Sequence, residues 1–208
     1  MKKILTILFI IFPLLSFSIN YTSNNNYTGY WNNINSWSIN IPTNDDINLG
    51  NGTLTINGFI KWETENPLDS TLSFSGGGGG NIIVNDTLII YGDLHLGNKY
   101  NLTVNGILII YGNLITTNQI EISSSGYLIV QGDVDFGGSQ GGFEPGTESN
   151  VYIGGTCSNG DGCGSTSNDS TDLDNSDIDV SDFYNNNDPT ICNPPETGNL
   201  YHIPNIFG

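Results

Sequence analysis

The sequence predicts an all-β protein, a short right-handed parallel β-helix of about four to six coils, and three observations carry that expectation. The first is a recurring phrase. Leu88, Ile89, Ile90, Tyr91 and Gly92 return as Leu108, Ile109, Ile110, Tyr111 and Gly112, then as Leu128, Ile129, Val130, Gln131 and Gly132, always twenty residues on. Self-similarity at a fixed short period marks a solenoid, whose repeats bury their apolar side only by stacking. The second is alternation: Leu94, Leu96, Leu102, Val104, Leu114, Ile120, Ile122, Val134 and Phe136 all fall on even positions. Period 2 places these side chains on one side of extended chain, whereas a helix would need spacings of three and four. The third is glycine in phase at Gly58, Gly92, Gly112 and Gly132, read as bends between β segments. Leucine-rich repeats share the length, but their consensus is absent. Parallel crossovers are overwhelmingly right-handed, which sets the expected hand.

Taken in order, residues 1–18 read as a signal peptide: Lys2 and Lys3, an apolar core, then Ser16, Phe17 and Ser18. That core is too short to span a bilayer, and no second apolar run follows, so the expectation is a secreted or cell-surface protein without a membrane span. Residues 19–46 are rich in Asn, Ser, Thr and Tyr and read as an N-terminal cap, with Trp31 and Trp37 covering the first coil. The β-helix is expected over 47–155. Its first coil aligns 54–62 with 88–96, an insertion at 63–80 intervenes, and Val151 and Ile153 form a last strand. Residues 156–208 form an acidic, Cys-containing C-terminal extension.

Cys157 and Cys163 bracket a short polar loop, the simplest disulfide in an exported chain, and Cys192 is left over or pairs with either. No His lies near them and CxxC spacing is lacking, which disfavours zinc.

Charge excludes whole classes of partner. The formal net charge is −17, and loss of Lys2 and Lys3 with the leader leaves Lys61 and Lys99 against 21 acidic residues, with no Arg in the chain. Nucleic-acid binding rests on Lys and Arg contacts to phosphate, so it is set aside.

Outward positions differ between β segments. Ile89, Ile109 and Ile129 make one row; Tyr91, Tyr111 and Gln131 a second; Thr87, Ile107 and Tyr127 a third. Strands apolar on both faces are normally covered on both. Either the chain's own C-terminal segment packs there, or Tyr91, Tyr111, Tyr127, Ile89, Ile109 and Ile129 form a binding face for a glycan or a surface protein.

The run from Trp31 and Trp37 through Pro42 to Asp45, Asp46 and Ile47, followed by Gly52, Leu54, Ile56 and Gly58, resembles the opening of secreted bacterial β-helix proteins of the adhesin-like kind. The resemblance covers roughly 30–136. It implies a surface or extracellular protein of β-helix fold and brings no catalytic residues to carry over.

Chemistry is sparse. Asp172, Asp174, Asp177 and Asp179 offer oxygen ligands for Ca2+, but an EF-hand counted from Asp172 meets Asp177 where Gly belongs and Phe183 where an acid belongs. A carboxylate pair for glycoside hydrolysis is conceivable among Asp93, Asp133 and Asp135, yet Asn113 interrupts the row, and an Asn or Asp row more often supports a turn. The expectation is therefore a non-catalytic adhesion or partner-binding protein without a required cofactor. The alternative is a small carbohydrate-binding or carbohydrate-active protein.

Overall fold

A computed structural model describes residues 18–63, 70–138, 141–144 and 150–163. These residues are all-β, with nineteen short strands, one 3-10 turn at Ile34–Ser36 and no α-helix among them.

The strands form three sheets that the chain visits in rotation. Sheet A holds β1 (Tyr21–Ser23), β5 (Gly52–Ile56), β8 (Gly80–Val84), β11 (Tyr100–Val104), β14 (Gln119–Ile122) and β17 (Gly142–Phe143). Sheet B holds β2 (Thr28–Tyr30), β6 (Phe59–Trp62), β9 (Thr87–Ile90), β12 (Ile107–Ile110), β15 (Tyr127–Val130) and β18 (Val151–Ile153). Sheet C holds β4 (Asp46–Ile47), β7 (Thr71–Phe74), β10 (Asp93–Leu96), β13 (Leu114–Thr116), β16 (Val134–Asp135) and β19 (Cys157–Ser158). These neighbours pair in parallel, and only β3 (Trp37–Ile39) runs antiparallel, against β1 at the end of sheet A. The arrangement is compatible with the expected parallel β-helix.

Register follows the repeat. Leu88 pairs with Leu108 and Leu108 with Leu128; Leu94, Leu114 and Val134 do the same in sheet C. Inward positions line up into columns, among them Leu54, Ile82, Leu102, Ile120 and Phe143 in sheet A. Together they form one continuous apolar interior, with Trp62, Phe74, Tyr100, Phe136 and Phe143 its largest fully buried members.

The first circuit departs from the expectation. Leu54 pairs with Ile82, not Leu88, so the alignment of 54–62 with 88–96 is corrected. The supposed insertion also contains β7, where Leu72 and Phe74 point inward between Thr71 and Ser73. Alternation is present there, but the longer first circuit hides it from a twenty-residue ruler. Gly58 therefore belongs to a different corner from Gly92. It lies between sheets A and B together with Gly106 and Gly126, whereas Gly92, Gly112 and Gly132 turn the chain from B to C. At Gly106 the reason for glycine is close approach, since a Cβ would collide with the Asp86 carbonyl.

Trp31 and Trp37 join the interior cluster at the N-terminal end, their rings edge to face at 5.0 Å. Trp37 Nε1 donates to the Trp31 carbonyl at 2.7 Å, which ties the antiparallel β3 to the entry of the first circuit. Tyr100 fills the interior near β4, with its hydroxyl donating to the Ser75 carbonyl at 2.6 Å. Burial raises its pKa, despite the opposing hydrogen bond from the Leu49 N–H.

Candidate interaction face

Sheet B differs from the other two in being apolar on both sides. Its inward columns run Ile60, Leu88, Leu108, Leu128, Val151 and Trp62, Ile90, Ile110, Val130, Ile153. Between them, facing outward, lies the column Lys61, Ile89, Ile109, Ile129, Tyr152. A second outward column runs Phe59, Thr87, Ile107, Tyr127. Side chains alternate across a strand, so these two columns lie on the face opposite the interior.

The structure brings the sequence-predicted residues together. Ile89, Ile109, Ile129, Tyr91 and Tyr111 form one apolar cluster with Phe59, Ile107 and Tyr152, separate from the interior, with Tyr127 half-buried against it. Tyr91 and Tyr111 stack with centroids 4.8 Å apart and planes 12° from parallel. Tyr127 stands in the Phe59 column, away from that pair, so the three tyrosines do not make one continuous platform. The face is also closed: Ile89 is 0 % exposed and Ile109 3 %.

Phe59, Lys61 and Tyr152 escape the twenty-residue ruler because they sit in the two irregular circuits. Leu128 pairs with Val151 and Ile60 with Leu88, spacings of 23 and 28 residues. Lys61 is nearly as buried as its apolar neighbours, with Nζ 5.3 Å from the Tyr30 ring centroid and 5.9 Å from that of Phe59. Aromatic faces compensate part of the cost of taking an ammonium out of water. Beside it a cleft of about 450 Å3 is lined by Tyr30, Trp31, Asp45, Lys61, Trp62 and Glu63, among others. Trp62 Nε1 donates to Asp45 Oδ1 at 3.1 Å, and the buried Trp31 Nε1 finds no acceptor among the described residues.

The row containing Asp93, Asn113 and Asp133 is a turn-supporting ladder. Asp93 Oδ1 accepts from the Asn113 N–H at 2.7 Å, Asn113 Oδ1 from the Asp133 N–H at 2.9 Å, and Asp133 Oδ1 from the Thr156 N–H at 2.7 Å. Asp135 Oδ1 likewise accepts from Asn159 and from the Gly137 N–H. Donated hydrogen bonds stabilise the ionised carboxylate. They hold Asp133 below its ordinary pKa through Thr156, and Asp135 below it through Asn159 and then Gly137. A parallel ladder of Asn57, Asn85 and Asn105 supports the A–B corner.

Cys157 and Cys163 form a disulfide with Cα atoms 5.2 Å apart. Asp172, Asp174, Asp177, Asp179 and Cys192 lie outside the described residues. Among the described residues no group of three or more His, Cys, Asp or Glu side chains is placed to hold a metal ion, and no helix is long and apolar enough to cross a membrane. Comparison with protein-family models, with curated proteins and with solved structures finds no match to this chain.

Proposed function

We propose that the chain is an exported right-handed parallel β-helix that works without catalysis, binding a surface protein or other extracellular partner through the outer face of sheet B. The observation that carries this reading is the second apolar cluster, Phe59 to Tyr152, on the side of sheet B that stacking does not require. An apolar outer face of this kind is where another surface packs. The signal-like residues 1–18 and the acidic composition fit export, and the disulfide fits an oxidising compartment. The test is binding of the labelled chain lacking its leader to cells and extracellular matrix of the producing organism. Tyr111→Ala and Ile109→Asp should each weaken binding more than tenfold. Unchanged binding by both folded variants would overturn the reading.

A second reading, a small carbohydrate-binding or carbohydrate-active protein, draws on the Tyr30, Asp45, Lys61 and Glu63 cleft, which offers an aromatic ring beside charged groups. A glycan array decides it. A hit lost in Tyr30→Ala, or in Tyr91→Ala/Tyr111→Ala, supports a saccharide ligand, and no hit removes it.

A further inference from the structure

The chain contains four Asn-Gly steps, at Asn51, Asn57, Asn105 and Asn159. Such a step carries its own chemistry, because glycine has no side chain to keep its backbone nitrogen from reaching the asparagine Cγ. The attack needs that nitrogen free of a hydrogen bond and the chain around it free to move. The fold treats the four steps unequally.

Three of them are held. The Gly52 N–H donates to the Leu49 carbonyl at 2.8 Å, the Gly58 N–H to Ser23 Oγ at 3.2 Å and the Gly106 N–H to the Val84 carbonyl at 2.9 Å. Asn57 and Asn105 are also fixed by their side chains, both hydrogen-bonded to Asn85 in the A–B corner ladder. The strands beside these steps, β5 and β11, are each paired on both sides.

The fourth step differs on each count. The Gly160 N–H meets no acceptor among the described residues. Asn159 is exposed, and β19 beside it pairs only with β16, through two residue pairs. An end circuit with one stacked neighbour opens more readily than an inner one. Packing dictates both residues of the step. A Cβ at Gly160 would run into the Phe136 ring, and Asn159 takes φ 64°, a left-handed conformation in which asparagine is enriched. Asn159 Nδ2 donates to Asp135 Oδ1 at 2.8 Å, so this amide also ties the last turn back to sheet C.

We propose that Asn159–Gly160 is a self-modification site, where the folded chain exchanges ammonia for water and the carboxylate formed, facing Asp135, loosens β19 from β16. The Gly160 nitrogen, its proton taken by solvent hydroxide, bonds to Asn159 Cγ. The Cγ–Nδ2 bond breaks, and Nδ2 leaves as ammonia after taking a proton from water. Water then adds to either carbonyl of the cyclic imide and breaks one of its two ring C–N bonds to the Gly160 nitrogen. The product is aspartate or isoaspartate, with nothing oxidised or reduced. Either one removes a donor from Asp135 and sets a second negative charge beside it, and like charges at that separation repel. Isoaspartate also adds a backbone carbon to the turn. The Cys157–Cys163 disulfide still tethers the modified loop, so the change is local. It is independent of what the outer face of sheet B binds.

The test incubates the chain lacking its leader in warm neutral buffer made with heavy-oxygen water, then maps all four steps in one sample by peptide mass spectrometry. The heavy oxygen separates conversion during incubation from conversion during digestion. Asn159 should convert at least fivefold faster than each of the other three in the folded chain, and this lead should vanish in urea. A rate at Asn159 no greater than the others, or the same lead in urea, overturns the inference. Asn159→Asp supplies one product directly. Amide hydrogen exchange in β19 should rise at least threefold in this variant, with β9 and β12 unchanged, and unchanged exchange in β19 overturns the loosening.

Discussion

Truncating Leu108 to alanine isolates what the stacking of circuits is worth. Leu108 is fully buried, paired to Leu88 on one side and Leu128 on the other. Removing a buried leucine side chain forfeits its transfer free energy and leaves a cavity, together about 2–5 kcal/mol. Neighbours in a stacked array touch only adjacent repeats, so relaxation is confined to the flanking circuits and the middle of that range, about 3 kcal/mol, is expected. Ile115 serves as the control: it faces outward from sheet C and is 38 % exposed, so Ile115→Ala should cost less than about 1 kcal/mol. Ile109→Ala sits between them in chemistry but beside Leu108 in sequence. Its burial matches the interior, so its cost should approach that of Leu108→Ala, not that of Ile115→Ala. Urea unfolding gives all three as shifts in midpoint at constant slope. A cost under about 1 kcal/mol for Leu108→Ala would refute the reasoning, as would equal costs for Leu108→Ala and Ile115→Ala.

Three further outcomes follow from the corners and the C-terminal end. Asp133 and Asp135 have pKa values lowered by donated hydrogen bonds, so their contribution is present above the ordinary carboxylate pKa and fades as pH falls through the lowered value. The stability gap between wild type and Asp133→Asn/Asp135→Asn should therefore be open near neutral pH and narrow on acidification toward about pH 3, read by denaturant midpoints; a gap that widens contradicts it. Cys157→Ser/Cys163→Ser should cost about 2 kcal/mol and raise hydrogen exchange in β19 and around the Gly142–Asp161 bridge, leaving β9 and β12 protected. Unchanged exchange in β19 would show that the disulfide does not hold the last circuit. Gly106→Ala drives a Cβ into the Asp86 carbonyl and should cost about 1–3 kcal/mol, while Gly138→Ala, with open space around it, should stay within about 0.5 kcal/mol; equal thermal shifts would refute the corner argument.

The regular circuits are legible because one constraint repeats. Leu88, Leu108 and Leu128 must meet the same neighbours, so the residue type recurs with the spacing. The first and last circuits are less legible because loop length is free where a turn does not stack. Leu54 pairs 28 residues on with Ile82, and Ile120 pairs 23 residues on with Phe143, although the column continues unbroken through both. Local alternation survives in Leu72 and Phe74, so reading each strand by its own period recovers β7 where a fixed ruler misses it. The candidate face was visible as Ile89, Ile109 and Ile129. Lys61 and Tyr152 were hidden at its two ends by the same irregular spacings, whereas the twenty-residue phase already set Tyr127 in the row of Thr87 and Ile107, apart from Tyr91 and Tyr111.

The contrast among the three sheets bears on why sheet B is apolar outside. If outward isoleucine served only the preference of extended chain for β-branched residues, the other sheets would show it equally. They do not. Outward positions on sheet A include Thr53, Asn81, Asn101, Thr103 and Glu121 with a single isoleucine, Ile83, and those on sheet C include Ser73, His95, Asp135 and a single isoleucine, Ile115. The same circuits build all three sheets around the same interior, so stacking sets the inward columns and leaves the outward ones free. An outward column of Ile89, Ile109 and Ile129 flanked by stacked tyrosines is thus surplus to the stacking itself. Apolar surplus on one face out of three supports a surface used for contact and not for stacking.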